Sequence, residues 1–448
     1  MVAQGFTNRQ IGEKLFISER TVDGHLEHIR EKLGVNSRAQ VSAWVVRNEA
    51  AAAAKPSPAP GLGPPQEQRR VLKHPRAWLA AALVVAMLAA GVGVLILTAP
   101  APHAINTVAG TDCPRTDPSD CTITDGTKAT LAPFYRPTSI AVDSKGVMYV
   151  ADYGHQLIWK VKGGVVTRLA GGGDKDLKSL TLGVDVSSAS LGHASSVAVD
   201  PLDSLYILTK RDNSLEIWRF DEAGFMHLVA GLGASHEQFF YVLSQNLPVG
   251  DLAITKEGVI FASDRVGNRV VEVRGSDVTP YAGGGSGGLG DGGAALSAQL
   301  SSPIGLALDR QENVYIADTG HHRIRRIDHM TGTIRSVAGS YRYGDDAGDG
   351  GPAVHARLNF PFGVVVAPDG SVVLSDTANQ QLRVIGPDGT ITKLAGTGQY
   401  GFLGDSGDAL GAELNGPEAV RLDAGGDLFI ADTENQRIRE IPKLFAAR

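Results

Sequence analysis

The sequence lacks the short motifs that mark several large enzyme classes. It contains no P-loop, no HExxH metalloprotease motif and no nucleophile elbow between a strand and a helix. Its 55 glycines follow no G-X-Y period, which excludes collagen, and a hydrophobic content of 43% argues against wholesale disorder. With aromatic residues at only 6%, the glycine content is typical of many short strands joined by tight turns. We therefore expect a protein that is not an enzyme and that needs no cofactor.

Charge is divided unevenly along the 448 residues, a length that predicts two or three domains. Residues 1–76 contain 12 Lys and Arg against 7 Asp and Glu, a net charge of +5. Residues 99–448 contain 30 against 41, a net charge of −11. A basic N-terminal part and an acidic C-terminal part indicate two surfaces that bind different kinds of partner.

An uncharged apolar run separates these two parts. Trp78–Leu97, WLAAALVVAMLAAGVGVLIL, has the 20 residues that a helix needs to cross the ~30 Å hydrocarbon core of a bilayer. Four Lys or Arg residues lie between positions 69 and 76, so the positive-inside rule places the N-terminus in the cytoplasm. The sequence thus predicts a transmembrane helix at 77–98, a single-pass protein of the cell membrane and an extracytoplasmic C-terminal part. A buried helix and a cleaved secretory signal are the alternatives.

The two cysteines both follow the apolar run. Cys113 and Cys121 lie eight residues apart in a segment rich in Pro and Asp. In an oxidising compartment such a pair is expected to form a disulfide, with free thiols as the alternative. A zinc site would need two more soft ligands nearby, and the sequence has none there, so we predict no metal site.

The first fifty residues have helical periodicity. Thr7 begins a T-x-x-Q capping pattern, and Ser18 caps a second helix whose apolar residues recur at helical spacing. Ser37 begins a third helix. Two short helices joined by a tight turn form a helix-turn-helix, so we predict a small all-α domain at 1–49. The segment 50–76 is rich in Ala and Pro and is expected to be a semi-rigid cytoplasmic linker.

The segment VAQGFTNRQIGEKLFISERTVDGHLEHIREKLGVNSRAQVSAWV resembles the DNA-binding domain of LuxR-type regulators over residues 1–48. The resemblance implies that the helix Ser18–Leu33 enters the major groove of DNA and that the last helix pairs two copies. The candidate DNA-binding residues are Thr7, Asn8, Arg20, Thr21, Val22, Asp23, Glu27 and Arg38.

Two departures from the LuxR pattern bear on DNA binding. The family's first helix is largely missing, so either the true start codon lies upstream or the domain is truncated. The base-facing side of the recognition helix has Asp23 and Glu27, and carboxylates repel phosphates, although they can accept a hydrogen bond from cytosine. DNA binding is the expectation, and a remnant that no longer binds DNA is the alternative.

Six units of similar sequence follow the apolar run. Each alternates between strands and turns, as in SPIGLALDRQENVYIADTGHHRIRRID, and five add a further strand that ends in Ala-Gly. A recurring four-stranded unit of about 40–60 residues is typical of a β-propeller. The last unit lacks its fourth strand, and Ile105–Gly110 matches that strand. We therefore predict an all-β, six-bladed propeller over 99–448, closed by strand 105–110, because closure removes the open sheet edge.

Two sequence patterns in these units are similar to those of a known family of repeat proteins. The first is a P-x-G-x-x-V-D opening followed by an ADT-x-N-x-R-I hairpin, and the second is a set of linkers, GLGDGGAALSAQL, AGDGGPAVHARL and LGDSGDALGAEL. Over about residues 105–442 the chain resembles NHL-repeat proteins. The resemblance implies a binding platform more often than an enzyme, although some propellers of this type are metal-dependent lyases.

An acidic residue ends the second strand of five units. These residues are Asp152, Asp264, Asp318, Asp376 and Asp432. Because an Asp at a strand end hydrogen-bonds turn amides, its recurrence indicates a scaffold role.

Residues that do not recur are better ligand candidates. The loops after the second strands are expected to share one face with the long linkers. The candidates there are Tyr153, His155, Lys210, Arg211, Arg265, His321, His322 and Arg323. Such cations on an acidic domain would suit an anionic glycan or a peptide carboxylate, with ordinary solvated loop ends as the alternative. The histidines lie in units that are not neighbours and lack a metal-ligand spacing.

These features together predict a membrane-anchored one-component transcriptional regulator. An extracytoplasmic NHL propeller would bind an unknown glycan, peptide or protein, and a cytoplasmic LuxR-type domain would bind DNA. A homodimer is expected, because Ala82, Ala86 and Ala90 form a small-x-x-x-small stripe. The alternatives are a surface binding or scaffold protein whose helix-turn-helix no longer binds DNA and, third, a propeller lyase.

Overall fold

The computed structural model of the chain describes most of the repeat region. The described residues are 103–112, 121–173, 175–176, 186, 189–211, 214–220, 225–234, 250–340 and 347–445. The predicted helix-turn-helix at 1–49, its eight candidate DNA-binding residues and the linker 50–76 lie outside these ranges.

The fold class expected from the sequence is wrong in one respect. In the part of the chain that the structure describes, no helix is long and apolar enough to span a membrane. The helical elements there are 3-10 turns of three residues, whereas a membrane span needs about 20. The predicted transmembrane helix is therefore not supported, and its residues, 77–98, lie outside the described ranges. The cell-membrane location, which depended on that helix, stays an untested prediction.

Short strands dominate the described residues, and all of them pair antiparallel except one parallel pair of two-residue strands, Lys175–Asp176 and Ala189–Ser190. In chain order they are β1 (Ala104–Gly110), β2 (Pro137–Val142), β3 (Met148–Asp152), β4 (Leu157–Lys162), β5 (Val165–Gly171), β6 (Lys175–Asp176), β7 (Ala189–Ser190), β8 (His193–Val199), β9 (Leu205–Arg211), β10 (Ser214–Phe220), β11 (Met226–Ala234), β12 (Leu252–Ile254), β13 (Ile260–Asp264), β14 (Arg269–Arg274), β15 (Asp277–Gly283), β16 (Pro303–Leu308), β17 (Val314–Asp318), β18 (Arg323–Ile327), β19 (Ile334–Ala338), β20 (Pro361–Val366), β21 (Val372–Asp376), β22 (Gln381–Ile385), β23 (Ile391–Ala395), β24 (Gly407–Asp408), β25 (Pro417–Leu422), β26 (Leu428–Asp432) and β27 (Arg437–Ile441).

Six sheets form the blades of a propeller, as predicted. Blades 1 to 5 are β2–β5, β8–β11, β12–β15, β16–β19 and β20–β23. Blade 6 is β25–β27 completed by β1, with the short strand β24 at its outer edge. The 3-10 turns are Ala129–Leu131, Ala295–Ser297, Thr319–His321, Ala353–His355, Thr377–Asn379, Ala409–Gly411 and Thr433–Asn435.

The first strand of the propeller closes the ring by pairing with the last. Asn106 lies opposite Glu440, and Thr107 lies opposite Arg439, in an antiparallel ladder. This pairing confirms the prediction that 105–110 supplies the missing fourth strand. The two ends of the propeller sequence are therefore held in one sheet, and the third strand of blade 6 is paired by β1 rather than left as an exposed edge.

Apolar side chains pack between neighbouring blades rather than in one central core. Six clusters are present among the described residues, and each combines strands of two adjacent blades. At the junction of blades 6 and 1, for example, Phe134, Ile140 and Trp159 pack with Phe429 and Ile438. Since each cluster needs two blades, the blades stabilise one another around the ring.

We expect Ile105→Ala to destabilise the propeller strongly. Ile105 is fully buried and packs with Leu414, Val420 and Ile441 of blade 6, and truncating a buried Ile to Ala costs about 2–5 kcal/mol. Urea unfolding of the full chain measures this loss. Leu131→Ala is the control, because Leu131 is 63% exposed. Equal stability of the two variants would contradict a closing role for β1.

Candidate functional site

Hydroxyl groups join each blade to the next near the start of the inner strands. In every case a Ser or Thr hydroxyl donates to a backbone carbonyl of the neighbouring blade. The six bonds are Thr138 to Ser195 O, Ser195 to Gly250 O, Ser263 to Ile304 O, Thr319 to Pro361 O, Thr377 to Pro417 O and Thr433 to Pro137 O. The last bond runs from blade 6 to blade 1, so the hydrogen bonds form a complete ring around the axis.

An ion pair between a half-buried arginine and a buried aspartate crosses the propeller axis. Arg421 Nη2 of blade 6 lies 2.6 and 2.7 Å from the two carboxylate oxygens of Asp251 of blade 3. Blades 3 and 6 face each other in a ring of six, so this pair spans the channel. Asp251 also accepts from the Ser196 hydroxyl at 2.6 Å and from the Leu306 amide at 3.1 Å.

The axial cavity beside this ion pair is small. All six blades contribute to its lining, yet the space in which the centre of a water molecule can move is only about 20 Å³, enough for one or two waters. This cavity therefore has no room for a ligand of ordinary size.

Glu418 is a buried acid at this cavity. Its Oε1 lies 3.8 Å from Arg136 Nη2, and Arg136 also lies 3.4 Å from Glu434. Burial raises the pKa of Glu418 to about 8; Arg136 opposes this shift, and the charge of Glu434 adds to it. Glu418 is thus protonated over much of the neutral pH range.

The recurring aspartates hold the linkers onto the blades. The Oδ1 atom of four of them accepts from a linker amide 17 positions earlier. These amides belong to Tyr135, Ser301, Asn359 and Asn415, and they bond to Asp152, Asp318, Asp376 and Asp432. The contacts confirm the scaffold role and the shared face of the loops and linkers. Burial raises the pKa of Asp376 and Asp432 to about 6, although their hydrogen-bond donors oppose the shift.

Two of the candidate ligand histidines belong to this scaffold. His155 Nδ1 lies 2.7 Å from Asp152 Oδ2, and His321 Nδ1 lies 3.0 Å from Asp318 Oδ2. In blades 5 and 6 Asn379 and Asn435 make the same contact, three positions after their aspartates. The histidines therefore replace a scaffold asparagine.

The other candidate residues do not converge on one site. Tyr153 is buried and stacks on His193 at the boundary of blades 1 and 2. His322 contacts Phe360 at the boundary of blades 4 and 5, and burial lowers its pKa. Arg323 is buried and donates to Gly339 O at 2.7 Å. Lys210 and Arg265 are half-buried, and the side chain of Arg211 is not among those described.

Three buried arginines form a repeated contact that the sequence analysis did not single out. Arg325, Arg383 and Arg439 are fully buried on the third strands of blades 4, 5 and 6. Each makes a 2.7 Å ion pair with a linker aspartate 34 positions earlier, namely Asp291, Asp349 and Asp405. Each also donates to a linker carbonyl, of Leu289, Arg357 and Glu413 respectively. The constant spacing of 34 was the sequence feature that could have revealed these pairs.

Blade 1 lacks this arginine and has a cavity instead. Trp159 occupies the position of the arginine, seven residues after Asp152, and donates its indole N–H to Asp152 Oδ2 at 3.1 Å. A cavity of about 420 Å³ lies beside it, which we call the blade 1 pocket. Its lining is formed by Cys121, Thr122, Ile123, Thr124, Asp125, His155, Leu157, Trp159, Arg168 and Gly172. Cys121 is buried and disulfide-bonded; Cys113, the other cysteine of the chain, lies outside the described residues.

Family models match both ends of the chain. Residues 1–45 match the model of bacterial regulatory proteins of the luxR family. Residues 101–238 match the teneurin NHL domain, and residues 300–327 and 414–441 match the NHL repeat. The chain therefore contains a LuxR-family domain and an NHL-repeat propeller.

The related proteins are much longer than this chain. Protein SUPPRESSOR OF QUENCHING 1, chloroplastic, of Arabidopsis thaliana is 33% identical over 161 residues, which is 34% of this chain and 15% of that protein. Human Teneurin-4 is 28% identical over 302 residues, or 62% of this chain and 9% of that protein. The chain thus spans only a small part of the relatives that it matches.

A solved structure from Bacteroides thetaiotaomicron, of a protein of unknown function, shares the fold. It superposes with a TM-score of 0.56 and 16% sequence identity, and the alignment covers 76% of each chain. At this identity the likeness supports the propeller architecture alone.

Breaking the axial ion pair should cost substantial stability. Arg421→Met leaves the buried Asp251 carboxylate without its cation, which is expected to lower the free energy of unfolding by about 3–5 kcal/mol. Adding Asp251→Asn should restore part of the loss, as urea unfolding would show. Lys145→Met is the control, because Lys145 pairs with Asp203 while 75% exposed and such pairs contribute about 0–1 kcal/mol. A loss no larger than that of the control would contradict a stabilising pair across the axis.

Glu418→Gln should stabilise the propeller at high pH. Below pH 4.5, the ordinary pKa of Glu, both folded and unfolded chains hold the proton. Between pH 4.5 and about 8 the unfolded chain releases it first, so wild-type stability falls as pH rises. Glu418→Gln does not lose stability in this way. Its free energy of unfolding should therefore exceed that of the wild type by a margin that grows to about 3–5 kcal/mol above pH 8.

Urea unfolding between pH 4.5 and 9 measures this difference. Glu257→Gln is the matched control, because Glu257 is exposed and hydrogen bonds lower its pKa; it should gain nothing at high pH. If the free energies of unfolding of Glu418→Gln and the wild type differed by the same amount at every pH, Glu418 would titrate normally in the folded protein.

Proposed function

We propose that the protein is a transcriptional regulator in which the LuxR-family domain binds DNA and the propeller binds a ligand that controls it. The observation that carries this proposal is the presence of both modules in one chain, a luxR-family match at 1–45 and a closed propeller over the described residues. A DNA-binding module joined to a recognition module can couple a ligand to gene expression without a separate receptor.

Two features of the propeller bear on where a ligand would bind. The Arg421–Asp251 pair crosses the axis, and the cavity beside it holds only water-sized groups. The larger blade 1 pocket lies away from the axis and is lined by residues of one blade and its linker. These features favour a propeller that presents a surface pocket to a ligand.

DNA binding is the part of the proposal to test first. The full chain would be titrated against the DNA upstream of its own gene over a series of salt concentrations. Replacing both Arg20 and Arg38 by Ala should weaken binding at least about tenfold and reduce the salt slope by about 2, because each arginine is predicted to contact a phosphate. Lys32→Ala is the matched control, since Lys32 is a cation of the same predicted helix that is not among the candidate DNA-binding residues.

Two results would contradict this assignment. Absence of binding at low salt would mean that Asp23 and Glu27 prevent the recognition helix from approaching DNA. Equal affinities for the double variant and the Lys32→Ala control would mean that the chain does not use the LuxR mode. Either result would favour the alternative of a propeller that serves as a binding or scaffold protein.

A further inference from the structure

Four linkers of the propeller follow one structural pattern. The linkers before blades 1, 4, 5 and 6 share an aspartate followed four and seven positions later by alanine, and each ends in a three-residue 3-10 turn. The residue after each aspartate donates its amide to the fourth strand of the blade. These bonds are Gly126 to Val166 O, Gly292 to Ile334 O, Gly350 to Ile391 O and Ser406 to Ile105 O. Asp125 is therefore the structural equivalent of Asp291, Asp349 and Asp405.

The blade 1 linker differs from the other three just before this aspartate. There the others have Gly290, Gly348 and Gly404, all with positive φ, and a Cβ on them would lie 2.6–3.0 Å from a linker alanine. Blade 1 has Thr124 at that position. A threonine cannot follow the same backbone path, because its Cβ would clash with the equivalent alanine. The linker takes another path, and the blade 1 pocket lies beside it.

The carboxylate of Asp125 lacks the cation that its equivalents have. Asp291, Asp349 and Asp405 each pair with a fully buried guanidinium at 2.7 Å. Asp125 lies 34 positions before Trp159, whose indole cannot supply that charge. Within the described residues Asp125 forms no ion pair, and its Oδ1 accepts a 2.6 Å hydrogen bond from the Arg168 amide.

We propose that the blade 1 pocket binds a guanidinium group of a ligand, which takes the place of the missing arginine. Asp125 accepts its charged hydrogen bonds, as the equivalent aspartates do from Arg325, Arg383 and Arg439. In blade 4 the buried guanidinium also donates to a linker carbonyl, Leu289 O, two positions before its aspartate; in blade 1 the residue two positions before Asp125 is Ile123, which lines the pocket. Thr122 and Thr124 line the same cavity, and a threonine hydroxyl can accept a hydrogen bond as well as donate one; the Thr124 hydroxyl also lies 3.1 Å from that of Thr127.

The positive charge of Arg168, next to the pocket, distinguishes a cationic ligand from an anionic one. The Arg168 side chain also lines the pocket, but it is exposed and therefore screened by solvent. For a guanidinium ligand its charge is unfavourable, so Arg168→Ala should leave affinity unchanged or raise it. For an anionic ligand Arg168 would be the main attraction, and its removal would abolish binding.

This proposal deepens the proposed function by naming the ligand class. The test is a calorimetric titration of the full chain, without DNA, with free L-arginine and with acetyl-arginine amide. The first probe represents a free metabolite and the second a peptide side chain. The corresponding citrulline compounds have the same shape without the charge and should bind at least about tenfold more weakly. Because no DNA is present, failure of DNA binding and failure of this proposal are separate results.

Three variants assign the binding to the pocket. Asp125→Asn keeps an oxygen that can accept from the Arg168 amide but loses the negative charge. It should lower the affinity for whichever arginine probe binds more tightly by at least about tenfold. Asp291→Asn, at the equivalent position of blade 4, is the matched control and should not change the affinity. Trp159→Arg restores the residue found in blades 4 to 6 and should abolish binding while the propeller stays folded.

Several outcomes would overturn the proposal. These are equal affinity for arginine and citrulline probes, unchanged affinity in Asp125→Asn, and loss of binding in Arg168→Ala. Binding by neither arginine probe in a chain whose far-UV circular dichroism shows a folded propeller would also overturn it. Far-UV circular dichroism of each variant separates loss of the site from loss of the fold.

Discussion

Closure of the ring is the constraint on which the rest of the propeller depends. Each apolar cluster needs two blades, so an open ring would leave two half-clusters exposed at its ends. The pairing of β1 with β27 and the bond from the Thr433 hydroxyl to Pro137 O prevent this. Contacts between residues some 300 positions apart thus hold together blades that consist almost entirely of local hairpins. Most other contacts lie within a blade or between neighbouring blades, whereas the closing strand and the Arg421–Asp251 pair join distant parts of the sequence.

Buried charge is used in two different ways in this ring. Among the described residues, only the Arg421–Asp251 pair joins two opposite blades across the axis. The pairs of Arg325, Arg383 and Arg439 with linker aspartates are repeated, and each satisfies a guanidinium that is fully buried. A buried charge without its partner is costly, so these pairs fix where each linker lies on its blade. These pairs therefore fix the arrangement of linkers and blades, because removing one partner would leave the other charge buried without compensation.

Much of the propeller could be predicted from the sequence because its contacts repeat. The alternation of strands and turns predicted the blades, and the Ala-Gly endings predicted their fourth strands. The similarity of 105–110 to the strand that the last unit lacks predicted how the ring closes. The candidate site was less predictable. His155 and His321 looked distinctive in sequence, yet they make the contact that Asn379 and Asn435 make elsewhere. The Arg421–Asp251 pair joins residues 170 positions apart with no local pattern, and only the ring geometry brings them together.

The positions at which one blade differs from the others are therefore the ones that can reveal a function specific to this protein. A residue that recurs in equivalent places, such as the strand-end aspartates, is explained by the scaffold. A residue that replaces a scaffold residue and keeps its contact, such as His155, is explained in the same way. Trp159 keeps the bond to Asp152 but loses the ion pair to the linker, and Thr124 replaces a glycine whose conformation it cannot adopt. Both changes meet at Asp125, beside one cavity. Because neither change is required by the scaffold, this cavity is where a function specific to this chain is best sought.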